Sequence, residues 1–373
     1  MNFQRRLFFI IFILAIYIIS SYSVSFSEEQ ISVEVVAESV ETTEQVQADI
    51  VDPLNLVSYG LNALELEVVQ RELTHFSETI KQRFHLYLQR SGRYIGLMRE
   101  ILKGKDMPEE LAFLPLVESG FNLRAKSRMK AVGPWQFIES TARLYGLKIN
   151  WWVDERRDPV KSTEAAADYL SDLYERFGSW SLAMAAYNAG EGKIQRALRR
   201  TNADDYWMLL PTKYIKPETK HYVPKFIAAK TIAENPEEYG FEDVSYEEPF
   251  IYEEVTVRGA LELLDVARCT NTSLDELDEL NPELVRDCTP PDAKEYTLRI
   301  PVGTKEAFLK DCMDVQKSKR CLVAIYKIKR GDTLSGISKK TGVSINTILY
   351  LNRGIKKSSR LRIGRIIYMP SGR

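Results

Sequence analysis

Leu111-Ala112-Phe113-Leu114-Pro115-Leu116-Val117-Glu118-Ser119-Gly120-Phe121-Asn122 is the stretch on which the reading of this chain turns. Leu111, Leu114 and Val117 recur at the three-residue spacing that places side chains on one face of a helix. Asp106, ahead of Pro108 and Glu109, has the pattern of a capping box and predicts the helix start. Pro115 lacks an amide donor and disturbs a helix interior, which predicts Glu118 near the helix end. The carboxyl then stands beside Leu116, Val117 and Phe121. Apolar surroundings keep a carboxyl protonated to higher pH, because desolvation disfavours the ion. A lone glutamate at a helix end is ordinarily solvated surface. Whether Glu118 is more than that depends on the rest of the chain.

Helical spacing continues upstream, through Leu61, Leu64 and Val68 and then Phe84, Tyr87 and Leu88, and predicts long helices between Leu61 and Leu102. Downstream, a second helix is predicted from about Ser181 to Tyr187. Ser179 is its candidate cap and Asn188-Ala189-Gly190 its stop. The last third contains an internal repeat. Thr270–Asn281 (TNTSLDELDELN) aligns without gaps on Thr341–Asn352 (TGVSINTILYLN). Each copy follows a strand-like run and an Arg-Gly, and each precedes another such run ending in proline. The runs are Glu254–Arg258 and Tyr296–Pro301 in the first copy, Ile325–Lys329 and Ile366–Pro370 in the second. Two strand–helix–helix–strand units are predicted.

The formal net charge of −1 gives no excess that points to nucleic acid or a membrane surface, but the charge is segregated. Glu28–Asp52 carries only acidic charges. Glu234–Glu295 holds 19 Asp/Glu against 4 Lys/Arg, and Lys305–Arg373 holds 17 Lys/Arg against 4 Asp/Glu. So sharp a reversal predicts separate modules. At the N-terminus, Arg5 and Arg6 precede the apolar run Leu7–Ile19 and the small residues Ser23, Ser25 and Ser27, the layout of a secretory signal. An uncleaved membrane anchor is the competing reading. No cysteine precedes Cys269, so no signal-adjacent cysteine is there to take a lipid, and a lipoprotein is not expected. Export to the envelope argues against a nucleic-acid partner. The cysteines Cys269, Cys288, Cys312 and Cys321 are even in number and predict disulfides. Proximity favours Cys269–Cys288 and Cys312–Cys321, with three connectivities open. No C-x-x-C pair occurs and His75, His85 and His221 lie far upstream, so no zinc or other metal site is expected.

The second repeat, with Gly331-Asp332-Thr333-Leu334, Leu351-Asn352 and the terminal Pro370, resembles the LysM family. That resemblance implies a βααβ fold and binding to glycans such as peptidoglycan. The first repeat resembles a divergent LysM. Gly259 is followed by Ala260-Leu261 instead of Asp-Thr, which leaves glycan binding, spacing and docking all open.

Between about Ser91 and Ile232, five motifs occur in order: Glu118-Ser119-Gly120-Phe121-Asn122, Ala125-Lys126-Ser127, Gly133-Pro134-Trp135-Gln136, Ala186-Tyr187-Asn188-Ala189-Gly190 and Glu218-Thr219-Lys220-His221-Tyr222-Val223-Pro224. In this, the chain resembles the lytic transglycosylases with a goose-lysozyme-like (SLT) catalytic domain, of the membrane-bound lytic murein transglycosylase D type. The resemblance implies a mainly α catalytic domain that cuts peptidoglycan glycan strands with no cofactor. Glu118 would act as the one catalytic acid/base and leave 1,6-anhydro ends. By the same resemblance Ser127 orients Glu118, while Gln136, Tyr187, Asn188 and Tyr222 line the cleft. Trp135 stands where many relatives of the wider superfamily have methionine, and is read as either core or a platform for a sugar. Gly133 and Gly190 are read as backbone requirements. A hydrolase on the same fold needs a second carboxylate, for which Asp154, Glu155 and Asp158 are the candidates. The interleaved Arg156 and Arg157 favour a salt-bridge cluster capping the next helix instead. A third reading keeps the fold as an idle glycan-binding scaffold. The expected layout is 1–27 signal or anchor, 28–55 acidic linker, 56–100 helical extension, 101–240 catalytic domain, 250–303 divergent LysM-like module and 324–371 LysM module.

Overall fold

The computed structural model describes residues 66–150, 152–259, 261–290, 293–312, 323–343, 345–352 and 354–370. The signal-like segment, the acidic linker, Leu61, Leu64 and Cys321 lie outside the described residues.

A mainly α domain comes first. Helix α1 (Glu67–Thr74) runs through a π-turn (His75–Thr79) into the 23-residue α2 (Lys81–Lys103), which buries Phe84, Leu88, Tyr94, Met98 and Leu102. These side chains recur at the helical period, so one stripe of α2 enters the core while the charged stripe stays outside. The predicted capping box does not form. Asp106 has φ +54, and the next turn is a 3-10 helix (Glu109–Phe113) entered from Pro108 with no side-chain cap. Only then does α3 (Leu114–Glu118) begin. Pro115 lies in its first turn, where a missing N–H costs nothing. Pro115 therefore starts this helix; it does not break one. Glu118 still ends it, because Gly120 and Phe121 both take positive φ and turn the chain away.

Helix α4 (Glu139–Leu144) and a 3-10 turn (Glu155–Arg157) lead to α5 (Pro159–Phe177). Asp158 caps α5 by accepting from the amides of Val160 and Lys161. Helix α6 (Trp180–Ala189) is capped by Ser179, whose hydroxyl accepts from Leu182 N, and it stops at Gly190 as the sequence predicts. Its Leu182–Ala186 run is wholly buried, and its small alanines let α5 approach closely. Helices α7 (Glu191–Thr201), α8 (Tyr206–Leu209) and α9 (Pro217–Glu234) complete the domain.

Two small modules follow. In the first, β1 (Glu253–Val257), α10 (Leu263–Thr270), α11 (Leu274–Leu280) and β2 (Tyr296–Ile300) form a βααβ unit with β1 antiparallel to β2. In the second, β3 (Val323–Lys327), α12 (Leu334–Thr341), α13 (Ile345–Leu351) and β4 (Ile366–Pro370) repeat that topology. One residue shows how closely they match. Asn281 donates to Leu277 O and Arg299 O and accepts from Arg299 N; Asn352 donates to Ile348 O and Tyr368 O and accepts from Tyr368 N. The same amide fastens the second helix to the last strand in both copies.

The disulfide pairing differs from the nearest-neighbour expectation. Cys269 bonds Cys312, with Cα atoms 5.7 Å apart, and Cys288 is also disulfide-bonded. The reason is packing. Phe308–Cys312 winds back as a π-turn against α10, whose last turn carries Cys269, so spatial and sequence neighbours differ.

The first module is seated on the α domain. Val153 pairs with Leu284 in an antiparallel bridge, Asp154 N donates to Glu283 O at 2.8 Å and Val285 N to Trp152 O at 2.9 Å. Trp152 and Val153 enter the module's core, while Leu280 enters that of the α domain. Buried Arg299 on β2 reaches Asp158 with both contacts at about 3.0 Å (3.1 and 3.0 Å) and lies 4.9 Å over the Tyr252 ring.

Candidate active site

The site forms where α3 ends against α9. Glu118 Oε1 accepts a short hydrogen bond from the Tyr222 hydroxyl. Tyr222 is held by an unusual stretch of α9. Pro224 has no amide to give to Lys220 O, four residues back, and buried Tyr206 takes that carbonyl instead at 2.8 Å. The proline in the Tyr-Val-Pro motif thus opens a helix carbonyl that a second tyrosine occupies. Tyr222 lies between that anchored carbonyl and the proline.

Burial dominates the acid. Desolvation raises the Glu118 carboxyl from 4.5 to about 7; the Tyr222 hydrogen bond pulls it down and the negative charge of Glu218 pushes it further up. Part of the residue remains accessible, which leaves a protonated carboxyl within reach of a substrate near neutral pH. Tyr222 and Tyr187 are both pushed well above the ordinary tyrosine range, by burial first and the Glu118 charge second, so both remain donors.

Beside the acid lies the 124–137 segment. Gly133 N donates to Ala125 O and Val132 N to Phe137 O, which folds the segment into a tight loop. Gly133 has φ +87, and a Cβ there would lie 1.7 Å from Arg156 O. Only glycine fits. Ser119, next to the acid, donates to Pro134 O at 2.9 Å, and Tyr187 donates to Trp135 O at 2.7 Å. Three motifs that are distant in sequence are joined through those two carbonyls.

The expected site residues fall into place unequally. Tyr222 touches Glu118 directly. Tyr187 lies near enough to feel the Glu118 charge and grips the 124–137 loop. Gln136, with φ +49, donates to Gly133 O at 2.8 Å and shapes the turn. Asn188 accepts from Thr219 at 3.1 Å and lines a cavity of about 230 Å³ with Lys193, Arg196, Tyr214 and Glu218. Ser127 is exposed, and its hydroxyl accepts from Ala131 N; the hydrogen bond to Glu118 comes from Tyr222. Trp135 requires a correction. It is wholly buried and its indole N–H donates to Thr163 at 2.8 Å, so its ring is core and offers no platform to a sugar. What it gives the site is its carbonyl.

The carboxylates weighed as a second catalytic group are occupied elsewhere. Asp154 makes a two-pronged pair with Arg156, with both contacts at 2.8 Å. Glu155 holds Lys161 at 2.7 Å, and Asp158 caps α5 while pairing Arg299. All three are buried. His221 pairs with buried Glu72 at 2.6 Å. Among the described residues, no group of His, Cys, Asp and Glu is arranged to hold a metal. Two residues named in the sequence reading have a part in the site that it did not assign them. Glu218 is missed because its charge reaches Glu118 only through the fold. Arg156 is missed because spacing shows its pairing with Asp154 but not the carbonyls its far end meets.

Residues 98–210 match the family described as transglycosylase SLT domain, 252–311 the lytic transglycosylase MltD, LysM-like domain, and 326–370 the LysM domain. The membrane-bound lytic murein transglycosylase D of Escherichia coli K12 is 32% identical over 310 residues, 78% of this chain and 66% of its own length. The chain thus spans just under two thirds of that relative. The peptidoglycan transglycosylase gp16 of Escherichia phage T7 is 38% identical over 79 residues, 21% of this chain and 6% of its own. The solved 70 kDa soluble lytic transglycosylase of Escherichia coli matches 41% of this chain and 25% of its own at 22% identity, with a TM-score of 0.33. Three family matches lie in this order on one chain: a transglycosylase SLT domain, an MltD LysM-like domain and a LysM domain.

Proposed function

We propose that this chain is a peptidoglycan lytic transglycosylase of the cell envelope that cleaves MurNAc–GlcNAc β-1,4 linkages, with Glu118 as its one acid/base. The observation that carries the reading is a desolvated carboxyl at the end of α3, raised to about 7 and held by Tyr222, with Asp154, Glu155 and Asp158 occupied elsewhere. Glu118 gives its proton to the glycosidic oxygen as the bond to C1 breaks. The resulting carboxylate takes the proton of the C6 hydroxyl on the same muramyl sugar, whose oxygen bonds to C1 and closes the 1,6-anhydro ring. The nucleophile is already on the substrate, so proximity does the work of a second catalytic group. Tyr222 occupies Oε1, which leaves Oε2 to carry the proton.

Around that step, Tyr187, Asn188 and Gln136 form the cleft wall, and Ser127 stands at its edge. The second repeat holds the enzyme on the wall through its glycan. The E. coli relative is named membrane-bound, which supports an envelope location, with the N-terminal apolar run as export signal or anchor. The test is mass spectrometry of digested sacculi. Anhydro-ended muropeptides support the reading, and reducing-end products alone would replace it with hydrolysis. Glu118→Gln is expected to abolish release. Undiminished digestion by that variant would remove Glu118 from the mechanism.

A further inference from the structure

We infer that the first LysM-like repeat is a brace for the catalytic cleft, with Arg156 as the positioning residue through which it acts, and that it does not serve as a second glycan-binding module. The inference deepens the transglycosylase reading and rests on it for the identity of the reaction.

Two observations separate this repeat from the second. The loops that flank its helices are zipped together. Leu263 N donates to Asp287 O at 2.8 Å, Thr289 N to Leu261 O at 2.9 Å and Leu261 N to the Thr289 hydroxyl at 2.9 Å, while that hydroxyl donates to Gly259 O. These bonds close the gap between the two loops. In the second repeat, among the described residues, no backbone bond joins Gly331–Leu334 to Lys356–Leu361. The other edge of the zipped loop, Glu283–Val285, is the one that pairs with 152–154 of the α domain.

From that edge an unbroken series of contacts reaches the acid. Glu283 O fixes Asp154 N, and Asp154 holds the Arg156 guanidinium by two parallel bonds. The remaining Arg156 nitrogen donates to Lys130 O and Phe137 O, both at 3.2 Å, on the outer side of the loop containing Gly133–Gln136. The inner side of that loop is gripped by Ser119 and Tyr187 beside Glu118. The repeat also holds the loop's other end, since Arg124 donates to the backbone and side chain of Asp278 on α11. A guanidinium suits this position because it can fork to a carboxylate on one edge and to two carbonyls on another; an ammonium cannot. The loop beside the acid is thus held by the repeat directly at Arg124 and, through Asp154 and Arg156, at Lys130 and Phe137.

The test uses the full-length protein with Arg156→Lys and Asp278→Ala. The second removes one partly exposed ion pair and is expected to fold normally. Hydrogen exchange of the Ala125–Phe137 amides is expected to quicken in both. On short soluble glycan strands Arg156→Lys is expected to lower kcat on the order of 10–100-fold with little change in KM, and Asp278→Ala by a few-fold. Arg156→Ala is expected to fall below Arg156→Lys, and binding of all three to insoluble peptidoglycan should match wild type. Unchanged exchange and kcat in both Arg156→Lys and Asp278→Ala overturns the brace, as does a loss confined to peptidoglycan binding, which would make the repeat a glycan binder. If wild type yields no anhydro products, the reaction assignment falls, and the exchange data still decide the brace.

Discussion

Glu118→Gln is expected to stabilise the protein, and only at the pH where the acid would be charged. The unfolded chain ionises Glu118 near its ordinary 4.5, whereas the folded site does so at about 7. Between those values the native state holds a proton that the unfolded chain has lost. Stability from this residue is therefore fully present below pH 4.5 and disappears as pH rises through 7. The gap corresponds to about 3 kcal/mol, at about 1.4 kcal/mol per pH unit. Glutamine does not titrate, has nearly the same shape, and its amide oxygen can still accept from Tyr222. Urea denaturation of wild type and Glu118→Gln should give matching midpoints at pH 4.5. The variant should then gain with pH, reaching about 3 kcal/mol near pH 8. Other titrating groups are common to both proteins and cancel in the difference. A gap that stays constant from pH 4.5 to 8, or a variant less stable at pH 8, would refute burial as the source of the raised acid.

Tyr222→Phe removes the bond that favours the carboxylate, so the alkaline limb of kcat/KM should move up as kcat falls; a downward move would contradict the assignment. Gly133→Ala is expected to cost at least about 3 kcal/mol or prevent folding, read from the urea midpoint, because the new Cβ meets Arg156 O and φ is positive. Trp135→Phe should destabilise by about 1–2 kcal/mol through loss of the Thr163 bond, with KM for glycan unchanged. Replacing Cys269 and Cys312 by serine opens a link spanning 43 residues, for which chain entropy gives up to about 4 kcal/mol. Loss of hydrogen-exchange protection in α10 would report it.

Local chemistry was largely legible in the sequence. Ser179 and Gly190 carry their meaning within a few residues, and each does in the fold what its type requires. Glu118 was legible only through its companions, since nothing in one glutamate reveals its burial. The failures share a cause. Pro115 and Asp106 were misplaced because a 3-10 turn shifts the helix start by a few residues, which composition does not record. Trp135 was ambiguous because an indole suits both core and cleft, and Thr163, 28 residues on, decides it. The disulfide pairing and the reach of Arg156 depend on which surfaces meet, and those are properties of packing.

The paired amides of Asn281 and Asn352 bear on how two copies of one unit diverged. Each binds both backbone groups of a single strand residue, 18 positions away in the first copy and 16 in the second. The strand's registration is set at that staple and owes nothing to the intervening loop. A loop so relieved can lengthen by two residues without shifting the strand. The duplicated unit could therefore turn its loop outward, toward a neighbouring domain, while its frame stayed still.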